Sequence, residues 1–122
     1  MEINSEGLAV YTELRGEERA GKMLETARKE GAAGTLAGMS LDFVFGKVWC
    51  RDGLDRKQRS LVTIGVLIAL RQTEELKNHF QLAIRNGLTI KEIDEAVVQT
   101  APYAGFPAAW AAALALKELS ER

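Results

Sequence analysis

The chain has 122 residues, of which 47% are hydrophobic and 27% charged, and its formal net charge is −1. This length predicts a single domain over residues 1–122 with the composition of an ordinary globular protein. The nearly neutral charge argues against nucleic acid as a partner, because proteins that bind it usually carry a basic patch. The longest apolar run, 61–70, is about half of the roughly 20 residues that cross a bilayer, so we expect no membrane insertion.

Cysteine and histidine usage limits the chemistry further. Cys50 is the only cysteine, so no intrachain disulfide can form, and we predict that it is a buried small hydrophobic residue. The N-terminal segment lacks the basic region and apolar core of a signal peptide, and together these features predict a cytoplasmic location. One histidine without a second histidine or clustered cysteines predicts no zinc site.

Helix signals follow one another along the chain, and strand signals are nearly absent. The first predicted helix covers residues 17–29 and ends before a small-residue turn at 31–34. The second begins with Ser40 as its N-cap and runs to about Trp49. Four more helices follow. The third predicted helix covers residues 55–71 with Asp55 as its N-cap, and the fourth begins at the N-cap Thr73 and ends before Gly87. The fifth begins with a capping box of Thr89 and Glu92, and the sixth covers residues 107–119 with Pro107 in its first turn.

Two of these segments, 61–70 and 108–116, are apolar around nearly the whole helix circumference. Helices of this kind must be buried on all sides. A domain of this size buries a limited fraction of its surface, so one chain does not hide both segments comfortably. We therefore predict a homo-oligomer in which they are buried in a large hydrophobic contact between subunits.

The only histidine, His79, lies on the fourth predicted helix, with Gln72 and Glu75 on the same side of that helix. Leu76 and Phe80 form an adjacent apolar stripe, which predicts that His79 lies at the edge of the core. A carboxylate four residues before an imidazole can orient the ring and favour its protonated form, so the pair is a candidate general acid. The alternative is a surface pair that stabilises the helix by about a few tenths of a kcal/mol.

A second group of interest lies between the last two helices. Pro102, Gly105 and Pro107 predict a tight turn. This turn would bring Tyr103, Phe106 and Trp110 near one another. Such aromatic residues either pack at a helix corner or form the apolar wall of a small ligand pocket, with the phenol as its polar group.

Three segments, 45–64, 75–79 and 103–109, resemble the carboxymuconolactone decarboxylase family in one colinear frame over about residues 40–120. The first reads Phe-Gly-Lys-Val-Trp-Cys-Arg-Asp-Gly-Leu-Asp-Arg-Lys-Gln-Arg-Ser-Leu-Val-Thr-Ile. The resemblance implies an all-α, alkylhydroperoxidase D-like helical bundle of about six helices. It also implies a trimer-based homo-oligomer, expected to be a hexamer.

The same resemblance separates two branches of this superfamily. The peroxidase branch carries a C-x-x-C-x-x-x-H motif, with a glutamate twelve positions before the first cysteine. Here Gln72, Glu75, His79 and Ser60 stand at those positions, so a dithiol mechanism lacks its nucleophile and its resolving thiol. The chain is similar to the decarboxylase branch instead. This implies a cofactor-free carboxy-lyase that acts on 4-carboxymuconolactone, or on a related small anionic lactone or keto acid, in the protocatechuate branch of aromatic catabolism.

The resemblance suggests a set of roles, which we state as hypotheses. Family members often carry asparagine where this chain has Trp110, which predicts a smaller and less polar pocket. The assigned roles are His79 as proton donor, Glu75 as the group that orients it, Arg59 and Arg51 as ligands of a substrate carboxylate, Ser60 as a further hydrogen-bonding group, and Tyr103 and Trp110 as pocket walls.

Two other functions stay open at this point. A thiol-dependent peroxidase would use Cys50 together with an external thiol, and alkylation of Cys50 would then stop its activity. A non-catalytic oligomeric protein would bind a small acid without converting it.

Overall fold

The computed structural model describes residues 2–121, and every regular element in that range is helical. The all-α prediction is therefore confirmed. No helix in this range is long and apolar enough to cross a membrane. The elements are α1 (Ser5–Arg15), α2 (Glu17–Ala27), α3 (Ala32–Met39), a π-helix (Ser40–Val48), α4 (Arg56–Ala69), α5 (Thr73–Arg85), α6 (Ile90–Ala104) and α7 (Phe106–Ser120).

Contacts within the chain divide these helices into two compact units. The first unit ends at Leu54 and contains α1 to α3 and the π-helix, and the second begins at Asp55 and contains α4 to α7. Each unit has its own set of helix contacts: α1 packs on α2 and on the π-helix, and α4 packs on α5, α6 and α7. The single-domain assignment stays a prediction.

The first unit depends on a close approach of α1 to the π-helix. A Cβ atom at Gly7 would collide with the carbonyl oxygen of Leu41, so this position of α1 requires glycine. The edge of the Tyr11 ring packs on Phe45 with 4.8 Å between the ring centroids. Trp49 follows the π-helix, and its N–H donates to the carbonyl oxygen of Val44 at 2.9 Å, the five-residue spacing of a π-helix.

The first unit differs from the sequence predictions at three places. Helix α1 was not predicted, although Asn4 caps it by accepting a hydrogen bond from the Gly7 N–H at 2.9 Å. Ser40 is not an N-cap, because the helix before it already begins at Ala32 and the Ser40 hydroxyl donates back to the Leu36 carbonyl at 2.8 Å. Gly34, assigned to a turn, lies inside α3.

The predicted N-cap at Asp55 and the predicted capping box at Thr89 are confirmed, and the Asp55 cap is also a complete capping box. At the start of α4 the Gln58 N–H donates to the Asp55 carboxylate at 2.8 Å, and the Asp55 N–H donates to the Gln58 side chain at 2.9 Å. At the start of α6 the Glu92 N–H donates to the Thr89 hydroxyl at 3.1 Å, and the Thr89 N–H donates to the Glu92 carboxylate at 2.9 Å. These local bonds fix where the two helices begin.

Of the two predicted ends of α5, one is confirmed and the other is wrong. Gly87 follows the last turn with a φ of 100°, a conformation that glycine adopts without strain, so the predicted stop is confirmed. Gln72, and not Thr73, stands at the N-cap, and it makes no side-chain capping bond. The predicted cap was therefore wrong by one residue.

The hydrophobic core of the second unit draws on all four of its helices. Helix α4 contributes only one face to this core, and its other face, with Val62, Val66 and Leu70, is exposed in the chain. The predicted burial of this other face between subunits stays a prediction. The buried residues of this core are Ile64, Ile68, Leu76, Phe80, Ala83, Leu88, Ile93, Val97, Ala108, Ala109, Ala112, Ala115 and Leu116.

Loss of the α6 cap has a predictable cost. Thr89→Ala removes the hydroxyl that accepts the Glu92 N–H, and we expect the free energy of unfolding to fall by about 1 kcal/mol in chemical denaturation. Thr26→Ala is the control, because the Thr26 hydroxyl bonds to the Lys22 carbonyl within its own helix. An equal loss of stability in both variants would contradict the assignment of a capping role.

The same cap makes stability depend on pH. Hydrogen bonds from the Thr89 backbone and side chain hold the pKa of Glu92 below its ordinary value, with a smaller contribution from the charge of Lys57. A carboxyl whose pKa is lowered by folding stabilises the fold above its unfolded pKa, and this stabilisation is lost as the pH falls through the folded pKa. The difference in Tm between wild type and Glu92→Gln should therefore shrink from about pH 7 to about pH 3. Glu95→Gln, outside the capping box, should show no such trend.

Candidate active site

Helix α5 sets the position of the only histidine. Its buried face carries Leu76, Phe80 and Ala83, which belong to the core of the second unit. His79 lies beside this face, and 16% of its side chain is exposed, so it lies at the border of the core as the sequence predicts. Glu75, one turn earlier, is 57% exposed. The imidazole is therefore mostly shielded from water, and its carboxylate neighbour is largely solvated.

The contact between these two side chains is electrostatic. Nε2 of His79 lies 3.6 Å from Oε1 of Glu75, which is longer than a hydrogen bond but within the range of an ion pair. The pair carries opposite charges only when the imidazole is protonated. Nε2 is the ring nitrogen that faces the carboxylate. The other ring nitrogen, Nδ1, is inaccessible to solvent. This geometry places a carboxylate beside the ring nitrogen that a proton donor would use.

Ser60 has a structural contact that the sequence did not reveal. It is fully buried in the first turns of α4, and its hydroxyl oxygen accepts a hydrogen bond from the Asn86 side-chain amide at 2.9 Å. Asn86 ends α5 and lies seven residues after His79, about 10 Å along the helix axis. Ser60 therefore joins α4 to the far end of α5. No local pattern links residues 26 positions apart, which explains why Asn86 was missed.

The two candidate arginines lie in different units. Arg59 is on α4 in the second unit, where it is half-buried and its Nε atom is inaccessible to solvent. Arg51 is exposed and precedes Leu54, so it belongs to the first unit. The second unit therefore contains Arg59 and every other candidate residue except Arg51.

The predicted turn between α6 and α7 is confirmed, and it consists of Gly105 alone, with a φ of 98°. The aromatic residues beside it point to solvent: Tyr103 is 84% and Trp110 is 69% exposed. In the single chain both rings are therefore mostly in contact with solvent.

The prediction for Cys50 is wrong. The side chain is exposed, and its thiol donates to the Gly46 carbonyl at 3.1 Å. Cys50 directly follows the buried Trp49 just beyond the π-helix, where consecutive residues turn to different sides of the chain. Among residues 2–121, no group of three or more histidine, cysteine, aspartate or glutamate side chains is arranged to hold a metal ion.

Comparison with known proteins shows which family this sequence resembles. The sequence profile described as "Carboxymuconolactone decarboxylase family" matches residues 35–118. The match begins in the first unit and ends in the second. It includes all seven candidate residues.

Two similar proteins are named as decarboxylases. The 4-carboxymuconolactone decarboxylase of Acinetobacter baylyi is 39% identical over 107 residues, which cover 88% of this chain and 78% of that protein. The nitrosuccinic acid decarboxylase of Metarhizium robertsii is 41% identical over 104 residues, 84% of this chain and 70% of that protein. An uncharacterised 15.0 kDa protein of Paracoccus denitrificans is 36% identical over 61% of this chain and 57% of its own length. The first two relatives support decarboxylation as the reaction class.

The Ser60–Asn86 contact predicts a coupled loss of stability. Ser60→Ala leaves the Asn86 amide with only a long contact to the Arg56 carbonyl at 3.4 Å, and we expect the free energy of unfolding to fall by about 1–2 kcal/mol. Asn86→Ala in the Ser60→Ala background should then cost less than in wild type. Strictly additive losses in a double-mutant cycle, measured by chemical denaturation, would contradict this coupling.

Proposed function

Because the chain belongs to the carboxymuconolactone decarboxylase family, we propose that it is a cofactor-free carboxy-lyase for 4-carboxymuconolactone or a related small anionic lactone or keto acid. The observation that carries this proposal is the placement of the only imidazole. His79 is shielded at the border of the core, with Glu75 at 3.6 Å from its Nε2 atom. A shielded and oriented imidazole is the group that a proton-delivering decarboxylase needs.

The reaction balances with the residues of this chain. The bond between the substrate carbon and its carboxylate breaks, CO2 leaves, and the electron pair delocalises into the unsaturated lactone. The imidazolium of His79 then gives a proton to the resulting carbanion, and the imidazole is reprotonated from solvent. Proton transfer by a positioned group accelerates a reaction by about 10²–10⁴-fold. Stabilisation of the developing negative charge by fixed polar groups adds to this.

The names of the two relatives suggest a substrate class broader than one molecule. One acts on 4-carboxymuconolactone and the other on nitrosuccinic acid. In each compound the electrons left by CO2 can delocalise onto oxygen, through an unsaturated lactone in the first and a nitro group in the second. The proposed substrates of this chain are therefore small carboxylic acids that carry such an electron acceptor.

Substrate binding is assigned to the remaining candidates. Arg59, half-buried on α4, offers a guanidinium fork that matches the geometry of a carboxylate, and Arg51 is the second proposed ligand. Ser60 is buried against Asn86, so its role in this proposal is to hold α4 and not to meet substrate directly. Tyr103 and Trp110 form the pocket wall together with a neighbouring subunit of the proposed homo-oligomer, a trimer-based hexamer.

The first test is turnover with matched variants. Purified protein is given enzymatically generated 4-carboxymuconolactone, and CO2 release and the ultraviolet change are followed. His79→Ala should lower kcat/KM by about 10²–10⁴-fold. Glu75→Gln should give a smaller loss, because it removes the charge that favours the protonated ring. Glu74→Gln is the control, since Glu74 lies next in sequence but pairs with Lys77 at 3.3 Å.

Two outcomes would contradict this proposal. Full turnover by a folded His79→Ala variant would remove His79 from the mechanism. Loss of activity after alkylation of Cys50, reproduced by Cys50→Ser, would favour the thiol-dependent alternative. If wild type converts nitrosuccinate but not 4-carboxymuconolactone, the proposed reaction, decarboxylation, is supported and 4-carboxymuconolactone is excluded as the substrate.

A further inference from the structure

The corner between α5 and α6 contains the dipeptide Asn86–Gly87. Of the three asparagines in the chain, Asn4, Asn78 and Asn86, only Asn86 precedes a glycine. Asparagine is a thermolabile residue, because the backbone nitrogen that follows it can attack its side-chain amide. A glycine in the next position favours this attack, since it has no Cβ to hinder the approach and its backbone is the least restricted. Asn86 is therefore the asparagine of this chain that is chemically most open to such an attack.

The fold keeps the two reacting groups apart. At a ψ of −1° in Asn86, the Gly87 nitrogen eclipses the backbone nitrogen of Asn86 and lies away from the side-chain carbon that it would attack. The Gly87 N–H also donates to the Ile84 carbonyl at 3.0 Å. The Leu88 N–H donates to the Ala83 carbonyl at 3.0 Å, so the end of α5 has the two bonds of a Schellman motif. The closed corner thus blocks the attack.

Helix α4 holds this corner closed from outside α5. The Asn86 amide donates to the Ser60 hydroxyl oxygen at 2.9 Å and makes a longer contact of 3.4 Å with the Arg56 carbonyl. Ser60 is fully buried. Gly87 packs closely as well, since a Cβ atom there would lie 2.8 Å from Cε of Lys57. The side chain of Asn86 is therefore bound to α4, while its backbone is bound to α5.

Local opening of the corner removes this protection. Gly87 is exposed and Asn86 is half-buried, so water reaches the dipeptide. Exposed helix ends open at a lower free energy than the whole fold. Each opening frees the Gly87 N–H and lets the ψ angle of Asn86 change. Because the bond to Ser60 must break as well, this bond determines how often the corner opens.

From these features we infer that Asn86 is a self-modification site, converted to aspartate or isoaspartate when the corner opens, at a rate that the Ser60 bond sets. The Gly87 nitrogen gives its proton to solvent and forms a bond to Cγ of Asn86. The bond from Cγ to Nδ2 breaks, and Nδ2 takes up a proton and leaves as ammonia. Water then opens the resulting five-membered imide. Attack on the Cγ carbonyl gives aspartate, and attack on the backbone carbonyl gives isoaspartate.

Either product weakens the attachment of α4. A carboxylate at position 86 has no N–H to donate to Ser60, and it places an acceptor oxygen near the Arg56 carbonyl. Isoaspartate also adds one atom to the main chain, which disturbs the spacing of the Schellman bonds. The change loosens the first turns of α4, which carry Arg59. The modification itself does not depend on the proposed decarboxylation.

Peptide mapping measures the conversion directly. Trypsin cleaves after Arg85 and Lys91 and releases residues 86–91, in which Asn86 is the only side-chain amide. Folded protein is kept in mildly alkaline buffer at physiological temperature, and the aspartate and isoaspartate forms of this peptide are quantified by liquid chromatography and mass spectrometry. A sample digested at time zero corrects for conversion during digestion. We expect folded wild type to convert more slowly than the same protein unfolded in urea.

A matched pair of variants separates the Ser60 bond from overall stability. Ser60→Ala removes the acceptor and leaves the Asn86–Gly87 dipeptide intact, so we expect conversion to be about 5–30-fold faster than in wild type. Ile68→Val is the control, because it also lowers stability but removes a buried methyl group about 12 Å further along α4. Its rate should stay close to that of wild type. Circular dichroism should show that both variants are folded.

Three outcomes would overturn the inference. Equal rates in wild type and Ser60→Ala would show that the Ser60 bond does not control the reaction. Equal acceleration in Ile68→Val and Ser60→Ala would show that the reaction proceeds through global unfolding. Folded wild type that converts as fast as unfolded protein would show that the corner gives no protection. None of these measurements uses turnover, so a failure here is distinguishable from a failure of the proposed reaction.

The consequence for α4 has its own test. Asn86→Asp reproduces the aspartate product, and we expect its Tm to be lower than that of wild type, because the donor to Ser60 is lost. Adding Ser60→Ala to this variant should lower the Tm less than Ser60→Ala does in wild type. An unchanged Tm in Asn86→Asp would contradict a weakened attachment of α4.

Discussion

Helix α4 carries apolar side chains around its whole circumference, and the second unit is organised by how these are distributed. Ile64 and Ile68 face inward, where α5, α6 and α7 cover them. Val62, Val66 and Leu70 remain exposed on the opposite side. A helix of this composition is stable in water only when both sides are covered, since the hydrophobic effect scales with the apolar area removed from water. The inner side builds the fold, and the outer side is the surface that the proposed homo-oligomer would cover.

The inner contacts of α4 also position the histidine that we propose for the chemistry. Because Leu76 and Phe80 of α5 belong to the core built on α4, the rotation of α5 about its axis is fixed. That rotation places His79 at the border of the core and leaves Glu75 in solvent. A core made of simple apolar packing thus orients the one imidazole of the chain and keeps most of it from water. An acid–base group held in this way can deliver a proton without the cost of reorienting at the moment of reaction.

The helix boundaries show what local sequence can specify. The capping boxes at Asp55 and Thr89 and the stop at Gly87 were predictable, because each depends on groups within about three or four residues of one another. The N-cap prediction for Ser40 is wrong because its hydroxyl donates a hydrogen bond to the Leu36 carbonyl, one turn earlier in a continuous helix. The sequence pattern alone does not distinguish a serine at an N-cap from a serine inside a helix. Helix α1 was not predicted, and only the structure identifies Asn4 as its N-cap.

The sequence by itself determined the helical class, most helix boundaries, the family and the residues proposed for the chemistry, because these follow from short-range spacing and from motif similarity. Only the tertiary structure decided which side of each helix is covered. It showed that Ser60 is bonded to Asn86, that Cys50 is exposed, and that Tyr103 and Trp110 project into solvent. These facts depend on contacts between residues far apart in the chain. A periodic pattern reports that a side chain is apolar, but the partner that covers it is chosen by the packing of the whole unit.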